Sequence, residues 1–275
     1  MTLLNTWLHT PCLVPQITVC RCNSRLINNM TPLKAQSDDR PEKFPWDFDD
    51  PNTPFWNDPA LKSPLSRNFL TCFTAQEVTD MNLDASAHLI KDKKLSLLLH
   101  LLQSKYEARK AEVAPSPLYE TAWEDWQRLM VGFIHLQDLS GLGEEQQNSL
   151  ELLMKHGRDG KRNLVGVNMM ASFKMDQGKY DDAELLVREA LPWLQEHEML
   201  GRDSPQALGC MRRLIECLWK QGKIDEADKV LGEYRTLVTD MGNGKFEKYQ
   251  DEEKEEMETL LPKAPALMCV GQSDG

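Results

Sequence analysis

The sequence predicts an all-α chain, a short solenoid of stacked antiparallel helix pairs between a disordered N-terminal leader and a disordered C-terminal tail. Three observations predict it. Six prolines crowd into residues 41–64 and few follow, so long helices can run downstream. Leu95, Leu98, Leu99, Leu102 and Tyr106 fall on one stripe at helical spacing. Finally, Gly178-Lys179-Tyr180-Asp181-Asp182-Ala183 returns 44 residues later as Gly222-Lys223-Ile224-Asp225-Glu226-Ala227. A fixed period of this size marks supersecondary units that bury their faces against one another.

Taken in order, residues 1–40 are the leader. Residues 1–37 hold no Asp or Glu but carry Arg21, Arg25 and Lys34. That pattern allows a mitochondrial presequence. Pro11 and Pro15 interrupt any amphipathic helix, however, so a disordered leader or a true start at Met30 is expected instead. Residues 41–64 add Phe44, Trp46, Phe48, Phe55 and Trp56 to their prolines, and form neither a regular helix nor a central strand. They read as an extended strap burying its aromatics along a helical surface, since exposed aromatic clusters are uncommon. Two other readings stand beside it: a linear motif docking on another protein, or a strap filling the chain's own groove in cis. Residues 65–114 are N-terminal helices, with Lys93, Lys94, Lys105, Arg109 and Lys110 as solvated flanks of the leucine stripe.

Residues 116–243 hold three units, near 117–160, 161–204 and 205–243. Ser116-Pro117 and Ser204-Pro205 each read as an N-cap serine followed by proline at the first helical position. Gly178 and Gly222 end the first helices of their hairpins in a left-handed conformation. Acidic pairs then open the second helices at the positive end of the dipole. Ala183 and Ala227 let the paired helices approach closely. In the first unit, Leu118–Asp138 reads as one long helix. Pro192 should kink the second helix of the middle unit near Arg188. Residues 244–261 are an acidic, solvated capping helix, and 262–275 a disordered tail.

The turns Gln177–Ala183 (QGKYDDA) and Gln221–Ala227 (QGKIDEA) resemble the middle of a tetratricopeptide repeat, or TPR. Arg188–Leu208 (REALPWLQEHEMLGRDSPQAL), running on to Trp219–Ala227, resembles the longer kinesin-light-chain variety. The resemblance covers residues 118–242, and the chain's style is similar to uncharacterised proteins of filamentous fungi. It implies a right-handed α-solenoid whose concave groove binds a peptide or partner helix without catalysis. Ala171 and Ala190 keep the family's small residues, whereas Ile215 and Tyr234 depart from them and imply wider packing in the last unit. Projecting the first helices puts Asn168, Ser172, Met175, Arg212, Glu216 and Trp219 on the groove. Asn168 and Arg213 could serve a carboxylate clamp, but Met169 and Gly209 stand where clamp residues would be.

The remaining chemistry is bland. With 32 basic against 43 acidic side chains and a net charge of −11, neither a nucleic-acid binder nor a polybasic membrane anchor is expected. The acidity belongs to the repeats, the strap and the cap; residues 65–117 are weakly basic. No apolar run approaches a membrane span. The seven scattered cysteines suit a reducing compartment, which makes the cytoplasm the expected location, with Cys210 and Cys217 as core residues. His100 and His135 read as core histidines and His156 as a loop residue. Gly157–Arg162 lacks the spacing and the Ser/Thr of a phosphate loop. The expected function is therefore a scaffold binding protein or peptide, with no catalytic residue, cofactor or metal. The alternative is an accessory enzyme or ligand-binding protein of small-molecule metabolism, with a pocket between strap and repeats.

Overall fold

The computed structural model describes Phe44 and residues 46–261, so the expectations for the leader and the tail lie outside the described residues. All regular secondary structure among the described residues is helical. The helices are α1 (Leu65–Leu70), α2 (Ala75–Met81), α3 (Lys91–Val113), α4 (Leu118–Thr121), α5 (Trp123–Leu139), α6 (Gly143–Lys155), α7 (Leu164–Asp176), α8 (Tyr180–Glu196), α9 (Pro205–Lys220), α10 (Ile224–Asp240) and α11 (Gln250–Leu260). From α5 to α10 each helix packs on the next, while α1 and α3 pack on α5, and α11 on α9 and α10.

The predicted turn chemistry operates where the period is cleanest. Gly178 and Gly222 adopt φ of 72° and 74°, a region only glycine enters without cost. Asp181, Asp182, Asp225 and Glu226 occupy the first turns of α8 and α10. Ala183 and Ala227 are completely buried. Ser204 caps α9 by accepting from Ala207 N at 3.2 Å, with Pro205 at the first helical position. Asn163 caps α7, accepting from Val165 N and Gly166 N, and its Nδ2 donates to Gln127 Oε1 on α5 at 2.8 Å. Gly166 lets α6 come close: a Cβ there would stand 2.8 Å from Met154 N.

Four expectations are corrected. Leu118–Asp138 is not one helix, because Ala122 leaves helical geometry (φ −140°, ψ 59°) between α4 and α5. The break is pinned from a distance: Trp123 Nε1 donates to His156 O at 3.0 Å, and His156 stacks on Tyr119 at 3.8 Å between ring centroids. Pro117 is itself the cap residue of α4, so Ser116 does not cap it. Lys94 is buried rather than solvated, its Nζ donating to Phe55 O at 3.2 Å beside the Phe55 ring. His100 is exposed, leaving only His135 in the core. As for Pro192, α8 runs through it from Tyr180 to Glu196.

Two large apolar clusters meet at α7. One joins Phe55, Trp56 and Leu61 of the strap to α1, α3, α5, α6 and the Met169, Met170 and Phe173 side of α7. The other joins Phe44 to the Val167 and Ala171 side of α7, to α8–α10, and to Phe246 and Tyr249. Every residue from Val165 to Phe173 is consequently buried, which requires cover on all sides of the helix. The strap thus belongs to both clusters, with Trp46 against the second and Phe48 against the first.

Glu184 on α8 ties two hairpins together. Its carboxylate accepts from Arg188 Nε at 2.8 Å, Gln221 Nε2 at 2.8 Å and Lys223 Nζ at 2.7 Å. Burial alone would raise this carboxyl, but the bonds from Lys223, Arg188 and Gln221 outweigh it and hold it at about 2. A carboxyl that ionises more readily in the fold adds stability above its ordinary value of 4.5, and that stability is lost as pH falls through about 2. Glu184→Gln should therefore lower the urea midpoint at neutral pH and flatten its decline between pH 4.5 and 2.

Candidate functional site

The first helices of the hairpins, α5, α7 and α9, carry the residues expected to line a groove, and the structure divides them. Asn168 and Ser172 are buried on α7. Asn168 Oδ1 accepts from Arg213 Nη2 at 2.6 Å, so Arg213 rather than Arg212 meets it. Met175 packs with Ala183 of its own hairpin and Cys217 of α9, and Trp219 lies in the core of α8–α10. Arg212 lies beneath α11, paired with Glu253 and donating to Tyr234 Oη at 3.2 Å. Met175, Trp219 and Arg212 therefore face protein rather than an open groove. Helical projection identifies a face but does not identify what later packs on it.

Of the expected set, Arg212 and Glu216 are only partly covered, and Glu216 joins a strip the projection did not find. Asp138 lies in the last turn of α5, Asp176 in the last turn of α7 and Glu216 on α9. Partial desolvation, then Asp138, then Glu216 push the Asp176 carboxyl up to about 6. Burial likewise raises Asp138, against a bond from Gln146 Nε2 at 3.2 Å. Asp176 thus senses a carboxylate from the helix on either side of its hairpin. A signal was present in the sequence: an acid in the last turn opposes the helix dipole, and both α5 and α7 carry one there.

Among the buried polar atoms of these helices with no hydrogen-bond partner among the described residues are His135 Nε2, one turn before Asp138, and Ser172 Oγ, one turn before Asp176. Burial, then the nearby Arg67 charge, hold the His135 imidazole down at about 4 from 6.5. Because the fold excludes this proton, stability falls as pH drops from 6.5 towards 4, by about 3 kcal/mol over the full window. Asp138 and Asp176, with raised values, oppose this trend. The test is therefore the difference between wild type and His135→Gln in urea unfolding. Their stability gap should change by about 3 kcal/mol across that window; a constant gap would mean the imidazole titrates freely in the fold.

No group of three or more His, Cys, Asp and Glu among the described residues could hold a metal ion. The described cysteines are free, and burial pushes Cys72 and Cys217 up to about 12, far from a reactive thiolate. No helix among the described residues is long and apolar enough to cross a membrane. Between strap and helices, where a ligand pocket was the alternative, the side chains of Phe55, Trp56 and Leu61 are packed into the core. No protein-family model, curated protein or solved structure matches the chain, so the tetratricopeptide resemblance rests on its own residues.

Proposed function

We propose that the protein is a non-catalytic cytoplasmic interaction scaffold, a short right-handed solenoid of TPR-like helix pairs that takes a basic peptide or partner helix along its first helices. The observation that carries the reading is the strip of Asp138, Asp176 and Glu216, where desolvation and the two neighbouring carboxylates make Asp176 harder to ionise. Neighbouring carboxylates make the ionised Asp176 a cost to the fold, and an opposite charge arriving from outside would relieve it. Support for the solenoid comes from the 44-residue period. Its next step after Pro205 falls at Tyr249, and α11 begins at Gln250, where a further first helix would start.

The test uses Lys/Arg-rich peptides against Asp/Glu-rich ones of equal length, in titrations on the full chain at low and high salt. The basic peptides should bind, and more weakly as salt rises. Asp176→Asn should raise thermal stability at pH 7, because it removes a carboxylate whose ionisation the fold resists, and should weaken peptide binding. A variant that gains stability while keeping full affinity would remove the strip from the function.

A further inference from the structure

We infer that the surface beneath Phe44–Asp47 is a second docking site, for acidic-aromatic segments, held shut in cis by the chain's own strap. This inference is independent of the acidic strip and concerns the loop that leads into α11. Phe44 stacks on Trp46 (4.9 Å, 8° between planes) and packs on Phe246 at 5.1 Å and Tyr249 at 5.9 Å between ring centroids. Lys245 and Lys248 lie over the Phe44 ring, at 5.6 and 4.7 Å from its centroid. The Asp47 carboxylate pairs with Lys248 and accepts from the Tyr249 hydroxyl. The surface therefore presents two ammonium groups and two rings, and what it holds is an aromatic pair followed by a carboxylate. Its occupant shows the chemistry it recognises.

Three features separate this contact from ordinary core packing. The residues that meet are about two hundred positions apart in sequence, joining the start of the described chain to its far end. The segment is not helical, and its attachments run through side chains: rings, a carboxylate, and Arg67 Nη1 donating to Trp46 O at 2.9 Å. A short peptide docks on a folded partner in this way. The fit is also incomplete, because Trp46 Nε1 is buried with no hydrogen-bond partner among the described residues. A segment able to satisfy that donor would exchange a frustrated contact for a satisfied one. By contrast Phe55 and Trp56, further along the strap, are sealed among α1 and α3 side chains and serve the core. The releasable part is the first few residues alone.

The occupant we assign is a partner segment with the pattern Phe-x-Trp-Asp, competing with the strap for the site. A cis occupant acts at high effective concentration, so a free peptide must meet a mostly closed site in the wild type. The probe is a fluorescent peptide of residues 44–50, titrated onto the full chain. Phe44→Ala combined with Asp47→Ala should open the site and tighten peptide binding by at least about tenfold. Adding Lys248→Glu should abolish the gain, and a scrambled peptide should not bind. An opened variant with native far-ultraviolet circular dichroism that binds no better than wild type, or binds the scrambled peptide equally, would overturn the proposal. Should the opened variant lose its fold, hydrogen exchange on the wild type decides. Amides of residues 46–50 should exchange at least about a hundredfold faster than those of α9, and exchange at a common rate would make the strap a fixed part of the core.

Discussion

Phe55→Ala should cost about 4 kcal/mol, a large share of the stability of a domain this size. Phe55 is fully buried, with its ring edge-on to Trp56 at 5.2 Å between centroids. Its backbone is engaged too: the N–H donates to Asp84 Oδ1 at 3.0 Å and the carbonyl accepts from Lys94. Removing the ring leaves a cavity, and the Asp84 and Lys94 bonds to the Phe55 backbone hold the main chain in place, which limits how far the site can collapse. The Lys94 ammonium, buried beside that ring, would lose its aromatic neighbour in the same substitution. Ile90→Ala, at a side chain 70% exposed just before α3, should change stability by less than about 0.5 kcal/mol. Urea unfolding of the two variants checks both numbers. A cost below about 1 kcal/mol at Phe55 would mean that the strap is an appendage rather than part of the core.

The hairpin turns were legible because their chemistry is local. A glycine must stand where φ is positive, an acid at the next helix start, and a small residue where helices touch; Gly178, Asp181 and Ala183 supply all three. The leucine stripe of α3 was legible for the same reason, since periodicity is carried within the segment. What escaped was decided by residues distant in sequence. Ala122 breaks a stretch of good helix formers because Trp123 and Tyr119 reach His156, a contact no local pattern encodes. Lys94 flanks the leucine stripe of its helix, yet is drawn inward by the Phe55 carbonyl and ring from a non-helical segment. Tyr234 stands where a small residue was expected and implied loose packing. It is instead completely buried, and its hydroxyl supplies a polar contact that reaches α11. The acidic strip was half-legible: each carboxylate is visible in its own helix end, but only stacking brings Asp138, Asp176 and Glu216 together.

The junction of α9 with α11 likewise depends on a polar contact between residues distant in sequence. Arg212 pairs with Glu253, whose side chain is 4% exposed, and the Tyr234 hydroxyl donates to Glu253 O at 3.2 Å. Burial raises the Glu253 carboxyl despite Arg212 beside it, so desolvation opposes this pair and the attraction must offset it. Glu253→Ala leaves the guanidinium buried with only Tyr234 and the more distant Glu256, and should cost about 3–5 kcal/mol. Arg212→Met alone should cost a similar amount by orphaning the carboxylate. The double variant Arg212→Met, Glu253→Leu should recover most of the loss, because apolar groups of similar volume remove both charges at once. A thermal or urea cycle over the four proteins measures the coupling directly. Additive losses in the double variant would show that each side chain acts through its own packing. Strong recovery would show that the pair holds α11 in place through mutual neutralisation. Because Lys248 and Tyr249 lie immediately before α11, the single variants should also speed hydrogen exchange at residues 46–50, where the strap rests on them.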